Sequence, residues 1–277
     1  MKKTLIAAAT AITFLGVLSV AQRQRNGHEA PGCSACDQQT WSYSPETGPE
    51  SWGKLCAPIC SDGARQSPIA VVDAFYNGSL PSVSFNRHSP NPLLKLTNYG
   101  FTPKISYSSN PEATYIQFSD SPSRYQFVEL HFHTPSEHTL NKRVYDMEMH
   151  MVHSDPFNPD RNVAIAVLIK EGRHNARFDQ ILANLPAGDR CQVTSIPYQN
   201  IYELLPSDRR YYYTYPGSLT TPDCGETVKF VLMSKDIELS HDQIETFRAY
   251  LKKQGFDHTN RPLQNLNGRK IETNVPR

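Results

Sequence analysis

From Trp41 onward the chain carries short runs of β-branched, aromatic and alternating apolar residues, broken repeatedly by Pro, Gly and Asn. Alternation with a period of two predicts strands, because successive side chains of a strand point to opposite faces. The runs fall at 93–97, 103–107, 114–118, 125–133, 145–153, 163–170, 211–215 and 227–233. Two stretches switch to a helical period. Residues 175–185 bring Phe178, Ile181, Leu182 and Leu185 to one side. Residues 241–254 follow Ser240, which pairs with Gln243 as a capping box; Ile244, Phe247 and Leu251 form the stripe, and Gly255 ends it. Both helices are expected to pack rather than to act, and the whole reads as one β-rich domain.

The histidine spacing adds chemistry to this pattern. In residues 127–133 (FVELHFH) strand geometry puts Glu129, His131 and His133 on one face, and in 147–153 (MEMHMVH) it aligns Glu148, His150 and Val152. Two neighbouring strands would then aim three imidazoles at one point, the ligand set of a catalytic zinc site with its fourth position open. On each strand a carboxylate precedes a histidine by two residues, placed to accept the other ring N–H and fix the tautomer. A lone His-x-His is more often a plain polar strand face. The third histidine, with the same carboxylate offset, favours metal. No His-Glu-x-x-His is present, so the usual zinc-protease arrangement is excluded.

Composition narrows the class. The chain has 277 residues, a net charge of +1 and no basic cluster, which argues against nucleic acid as a partner. Lys2-Lys3, an apolar run to Ala21 and small residues at Ser19 and Ala21 predict a signal peptide over 1–21. An uncleaved anchor is the competing reading of that run. Cleavage would leave a 22–40 irregular segment, a 41–277 domain, no membrane segment and a secreted protein, periplasmic in a bacterium. Six cysteines suit such an oxidising compartment. Cys33 and Cys36 are expected to form a structural bridge rather than a redox pair. Asn77-Gly-Ser79 is a glycosylation acceptor in a eukaryotic host and otherwise a turn.

From Trp41 to about Ile271 the sequence resembles the α-class carbonic anhydrases. The resemblance is carried by WSY with GPESWG (48–53), RQSPI (65–69), HFHTPSEHT (131–139), MEMHMVH (147–153), YTYPGSLTTP (213–222) and NRPLQNLNGR (260–269). It implies a β-rich α+β fold: a single domain around a large, mostly antiparallel twisted central sheet with a few short surface helices. It implies His131, His133 and His150 as ligands of Zn2+, with Glu148 orienting His150 and the Thr259 backbone receiving His133. Glu129 stands where the family usually has a glutamine orienting the first ligand. Thr220 matches the threonine that accepts a bond from zinc-bound hydroxide, and Glu137 the carboxylate that takes the threonine's proton. Val152, Leu219, Phe230 (tryptophan in most of the family) and either Ala164 or Ile165 would wall the CO2 pocket, with Thr221 on the bicarbonate side. The resemblance also pairs Cys60 with Cys224, leaving Cys33, Cys36, Cys56 and Cys191 open. Trp41, Tyr43, Trp52, His138, His153 and Arg261 read as architectural, with Tyr43 also near the solvent of the site.

The implied activity is zinc-dependent, reversible hydration of CO2, with weak esterase activity as a by-product. The pattern breaks at Phe101, where fast members of the family carry a proton-shuttling histidine; Tyr99 and Lys104 flank it and titrate near pH 10 in reference peptides. Proton release is therefore expected to be slow and buffer-dependent. A carbonic-anhydrase-like storage or mineral-matrix protein, and a zinc hydrolase acting mainly on esters, are the alternatives. The storage reading would leave a zinc histidine or the relay missing, and all three histidines, Thr220 and Glu137 are present; the ester hydrolase is separated only by substrate profiling. Cobalt suits the same imidazoles as zinc.

Overall fold

The computed structural model describes residues 40–87, 93–108, 114–197 and 200–276. The predicted signal peptide, all but the last residue of the 22–40 segment and the Cys33/Cys36 pair lie outside those residues. Within them the chain forms β1 (Ala70–Val71), β2 (Phe75–Tyr76), β3 (Val83–Arg87), β4 (Leu94–Asn98), β5 (Pro103–Tyr107) and β6 (Thr114–Phe118). There follow β7 (Arg124–His133), β8 (Thr139–Leu140), β9 (Met147–Asp155), β10 (Asn158–Glu171) and β11 (Val193–Ile196). The last are β12 (Tyr212–Gly217), β13 (Val228–Met233), β14 (Ile237–Leu239) and β15 (Glu272–Thr273).

Thirteen of these strands form one sheet, ordered β11-β4-β5-β7-β9-β10-β13-β12-β15-β2, with β3 and β6 attached through β7 and β14 beside β10. Most neighbours are antiparallel, but β10 runs parallel to β13 and β14, and β15 parallel to β2. The sheet is thus mixed rather than uniformly antiparallel. Parallel neighbours need long crossovers, and the chain supplies one between β10 and β13. The small pair β1-β8 is also parallel.

The central strands are buried on both faces, and alternation sorts their residues between two interiors. Met147, Met149 and Met151 of β9 and Val163, Ile165, Val167 and Ile169 of β10 enter the main core. The intervening Ala164, Ala166 and Leu168 turn to the other face, where they meet Ile69, Tyr215, Phe230 and Leu232. A one-residue slip would exchange the two sets, so the register is fixed by burial.

Helices are few and short. Ser240 and Gln243 form the predicted capping box of α4, and the helix runs His241–Lys253 after α1 (Trp52–Leu55), α2 (Ile59–Asp62) and α3 (Asp179–Ala183). Gly255 follows α4 in the left-handed region, φ +87°, which glycine adopts at no steric cost. The stretch expected as one helix over 175–185 is instead a turn of 3-10 helix, Ala176–Phe178, and then α3. Asn175 caps the first turn through the Arg177 N–H, and Pro186 disfavours helical geometry at Leu185.

Candidate active site

β7 and β9 are antiparallel neighbours, with His131 directly opposite His150, His133 opposite Glu148 and Glu129 opposite Val152. Opposed residues share a face, so all six side chains project to the same side of the sheet. The three imidazoles pack ring to ring, with centroids 4.9 Å (His131–His133), 5.0 Å (His133–His150) and 5.3 Å (His131–His150) apart. One ring nitrogen from each lies within 4.8 Å of the other two, close enough for a small cation to touch all three.

The remaining ring nitrogens are all engaged. His131 Nδ1 donates to both Glu129 oxygens at 2.9 and 3.0 Å. His133 Nδ1 donates to the Thr259 carbonyl at 2.6 Å, and Thr259 is itself tied to Thr134 through backbone and hydroxyl bonds. His150 Nε2 donates to Glu148 Oε1 at 2.7 Å. That leaves His131 Nε2, His133 Nε2 and His150 Nδ1 as acceptors facing one another. His133 Nε2 is buried without a hydrogen-bond partner, a costly state for a polar atom that has no ligand. The donor set therefore fits a tetrahedral metal with one position to spare.

Glu148 does more than orient one ring. Its Oε2 accepts the backbone N–H of Glu137 (2.9 Å) and of His138 (2.7 Å), while Oε1 also receives His138 Nδ1 at 2.6 Å. Although burial opposes it, the neighbouring His138 and His150 hold the Glu148 carboxyl well below the ordinary range. Beyond His138 the network continues to the Tyr215 hydroxyl and from there to Ser67. Burial pushes Glu137 the other way, well up, reinforced by the Glu148 charge; the Arg261 N–H on Oε1 and the Thr220 side chain pull it back. Glu137 Oε2 lies 3.4 Å from His133 Nε2. A cation at the histidines would draw Glu137 toward its ionised form.

Thr220 is buried on the loop between β12 and β13. That loop is stapled to the 60–67 segment: a disulfide joins Cys60 to Cys224, Gln66 Nε2 donates to the Cys224 carbonyl, and the Ser67 and Ser218 side chains each accept the other's N–H. Buried Arg261 reinforces the same corner through Gln66, Ser67 and the Cys60 carbonyl. Cys56 and Cys191 are disulfide-bonded as well.

Apolar side chains complete the surroundings. Ala164 lies between Val152 and Phe230 in the sheet and shares their face, whereas Ile165 points into the main core. Phe230 packs against His150 at 5.6 Å and stacks on Tyr215 at 5.2 Å, and Leu219 packs on the same cluster. Thr221 is half-buried beside Thr220. Phe101 lies in the β4–β5 turn after Gly100 (φ +80°) and is only 2% exposed, packed at 4.8 Å on Trp41 and 6.2 Å from Tyr43.

Lys104 carries its ammonium over the Tyr99 ring at 4.5 Å. Its charge reaches Glu129, whose carboxyl His131 and Lys104 together hold low against burial. The sequence marks Lys104 only as a poor proton carrier and does not show this proximity. Alternation along β5 was the available signal, since Ile105 pairs with Leu130 of the core face and Lys104 must turn to the other. His153 is structural, donating to the Met151 carbonyl and bonded to the Tyr202 hydroxyl. The Asn77 side chain is engaged at both ends, by Glu272 and by the Ser79 N–H, as a turn residue.

Comparison with known proteins agrees with this geometry. The family described as eukaryotic-type carbonic anhydrase matches residues 47–275. A carbonic anhydrase of Klebsiella pneumoniae is 32% identical over 234 residues, covering 83% of this chain and 89% of that protein. A solved structure of a hyperthermostable carbonic anhydrase from an active hydrothermal vent chimney superposes with a TM-score of 0.75 at 37% identity, covering 84% of this chain and 99% of that one. The α-carbonic anhydrase of Thermovibrio ammonificans, in complex with the inhibitor sulfanilamide, gives 0.73 at 34% identity over 84% of this chain and 98% of its own. Fold, histidine cluster and sequence thus converge: the chain belongs to the eukaryotic-type, or α, carbonic anhydrase family of lyases.

Proposed function

We propose that the protein catalyses zinc-dependent, reversible hydration of CO2 to bicarbonate, with His131, His133 and His150 as the metal ligands. The observation that carries this is the convergence of three acceptor nitrogens, each with its opposite nitrogen already bonded to Glu129, Thr259 or Glu148. Zinc held there supplies Lewis acidity; carbonic anhydrase is the standard case, in which it brings the pKa of water to about 7.

The rest is the work of the chain. Glu129, Glu148 and the Thr259 carbonyl hold each imidazole in the tautomer that leaves an acceptor inward. Glu137, ionised, receives the Thr220 hydroxyl proton, so the Thr220 oxygen remains an acceptor that orients the attacking oxygen toward the substrate carbon. Carbon dioxide has no net charge and is held against the apolar wall of Val152, Ala164, Leu219 and Phe230. Thr221 faces the bicarbonate side. Phe101 carries no proton, so the proton released at each turnover leaves slowly and is hastened by external buffer. Esterase activity through the same nucleophile is a weak accompaniment.

The Cys60–Cys224 disulfide is compatible with an oxidising compartment, and no helix among the described residues is long and apolar enough to cross a membrane. Export by the 1–21 segment, with the catalytic domain following from 41, is part of the same proposal. The test is zinc titration of metal-free protein with CO2 hydration followed in parallel. Activity should rise to a plateau at one equivalent and be absent in His150→Ala. A protein that binds one zinc tightly yet hydrates no CO2 would be a binding protein instead.

A further inference from the structure

The two ligand histidines of β7 are separated by one residue, Phe132, so the spacing of their rings depends on how the chain is held there. The inference rests on the metal-ligand reading proposed above. Alternation sends the Phe132 side chain to the other face, where its buried ring packs against Phe178 at 6.1 Å and Phe247 at 5.5 Å. On the side of β9, Phe132 stands opposite Met149. On the other side lies β5, which meets β7 where Ile105 stands opposite Leu130. Continuing that register by two residues sets Pro103 opposite Phe132. Proline has no N–H, so it cannot exchange the pair of hydrogen bonds that opposed antiparallel residues make.

Thr102 makes both bonds instead. Its hydroxyl donates to the Phe132 carbonyl at 2.9 Å and accepts the Phe132 N–H at 3.1 Å. A hydroxyl has one proton to give and lone pairs to spare, so a single oxygen can serve both groups. The N–H belongs to the peptide that comes from His131, and the carbonyl to the peptide that leads to His133. Both peptide links between the two ligands are thus held by one side chain. Thr102 is itself fully buried, and the β4–β5 turn fixes its place. Its carbonyl accepts the Tyr99 N–H at 3.1 Å, while Asn98 Oδ1 accepts the Gly100 N–H at 2.7 Å and the Tyr250 hydroxyl at 3.0 Å. Tyr250 belongs to α4, so the turn is anchored to that helix.

We propose that Thr102 is a positioning residue for the metal centre, setting the spacing and tilt of His131 and His133 through the backbone of Phe132. It acts through that backbone and offers no atom to the metal or the substrate. Removing the hydroxyl leaves a buried N–H and a buried carbonyl without partners, and the strand between the two ligands is free to shift. A ligand set loosened in this way holds a tetrahedral ion less tightly, because the nitrogens are no longer placed in advance.

The experiment compares wild type with Thr102→Val, Thr102→Ala and Thr102→Ser, and with Leu239→Ala as a core control. Leu239 pairs with Glu171, about 16 Å along β10 from the residue opposite His150. Zinc affinity is read by competition against a chelator, and coordination geometry by the visible spectrum of the cobalt-loaded protein. Thr102→Val should lose about 10-fold or more in zinc affinity, the scale of losing a partner that orients a ligand, and its cobalt bands should move. Thr102→Ala removes the hydroxyl without placing a methyl against the two polar groups; it should change both readouts in the same direction, and it serves if Thr102→Val does not fold. Thr102→Ser keeps the hydroxyl and should restore both. Leu239→Ala should lower stability and leave both unchanged. Wild-type affinity and an unmoved cobalt spectrum in Thr102→Val and Thr102→Ala overturn the positioning role alone, as does Thr102→Ser behaving no better than Thr102→Ala. No stoichiometric zinc binding by the wild type overturns it together with the ligand assignment on which it rests.

Discussion

His131 and His150 face each other across adjacent antiparallel strands, ring centroids 5.3 Å apart, and each donates its outward nitrogen to a glutamate two residues before it in the chain. The two carboxylates are not equivalent. Glu129 serves one ring from a partly exposed position, whereas buried Glu148 accepts from two imidazoles and two backbone N–H groups.

That asymmetry predicts the effect of an amide. Glu148→Gln replaces one acceptor oxygen with an NH2 that must face existing donors. Zinc affinity should drop about 10- to 100-fold, the usual cost of losing such a partner, and the metal-free protein should lose about 3 kcal/mol of stability. Glu129→Gln keeps an acceptor for His131 and should cost far less on both counts. Competition titration against a zinc chelator, with urea unfolding of the metal-free forms, measures the pair.

Ala164 offers a test of the apolar wall. Ala164→Leu would extend a side chain between Val152 and Phe230, into the space assigned to CO2. Overpacking of this kind costs about 1–3 kcal/mol. The expected outcome is a fall in kcat/KM for CO2 with zinc affinity unchanged; Ile165→Val, on the core face, should leave kcat/KM alone.

Phe101→His should raise turnover in weak buffer by giving the site a group that titrates near neutral pH. The site of change is packed against Trp41 and Tyr43, so the gain should come with a loss of about 1–3 kcal/mol in unfolding stability. An unchanged turnover with the protein folded would show that proton release does not limit the rate at this corner.

Acid sensitivity should trace in part to His153, whose pKa burial pushes down to about 3. An unfolded histidine titrates near pH 6.5, so as pH falls the unfolded chain takes the proton first. The contribution of His153 is thus complete above pH 6.5 and declines between about 6.5 and 3, by roughly 1.4 kcal/mol per pH unit. The difference in stability between wild type and His153→Gln, both metal-free, should shrink along that slope from pH 7 to 4. A constant difference would refute the assignment.

The strand period of two made much of this site legible beforehand. It placed Glu129, His131, His133, Glu148, His150 and Val152 on common faces without knowledge of the pairing. It could not choose between Ala164 and Ile165, because alternation fixes faces only once the register with β9 and β13 is known. Two-residue strands such as β2 and β15 hold too few residues to alternate, so the far edge of the sheet was invisible. The parallel β10–β13 pairing joins distant segments, and the division of 176–183 into two helical turns depends on local capping. No run of residues announces them.

The central claim is that three histidines and the Thr220–Glu137 pair hydrate CO2 while Phe101 leaves proton release slow. Stopped-flow CO2 hydration by the zinc-loaded protein across a series of imidazole concentrations tests it most directly. The account predicts measurable hydration whose kcat climbs with imidazole while kcat/KM stays level. A high kcat independent of buffer would contradict the slow release, and no hydration at any imidazole concentration would contradict the catalytic assignment itself.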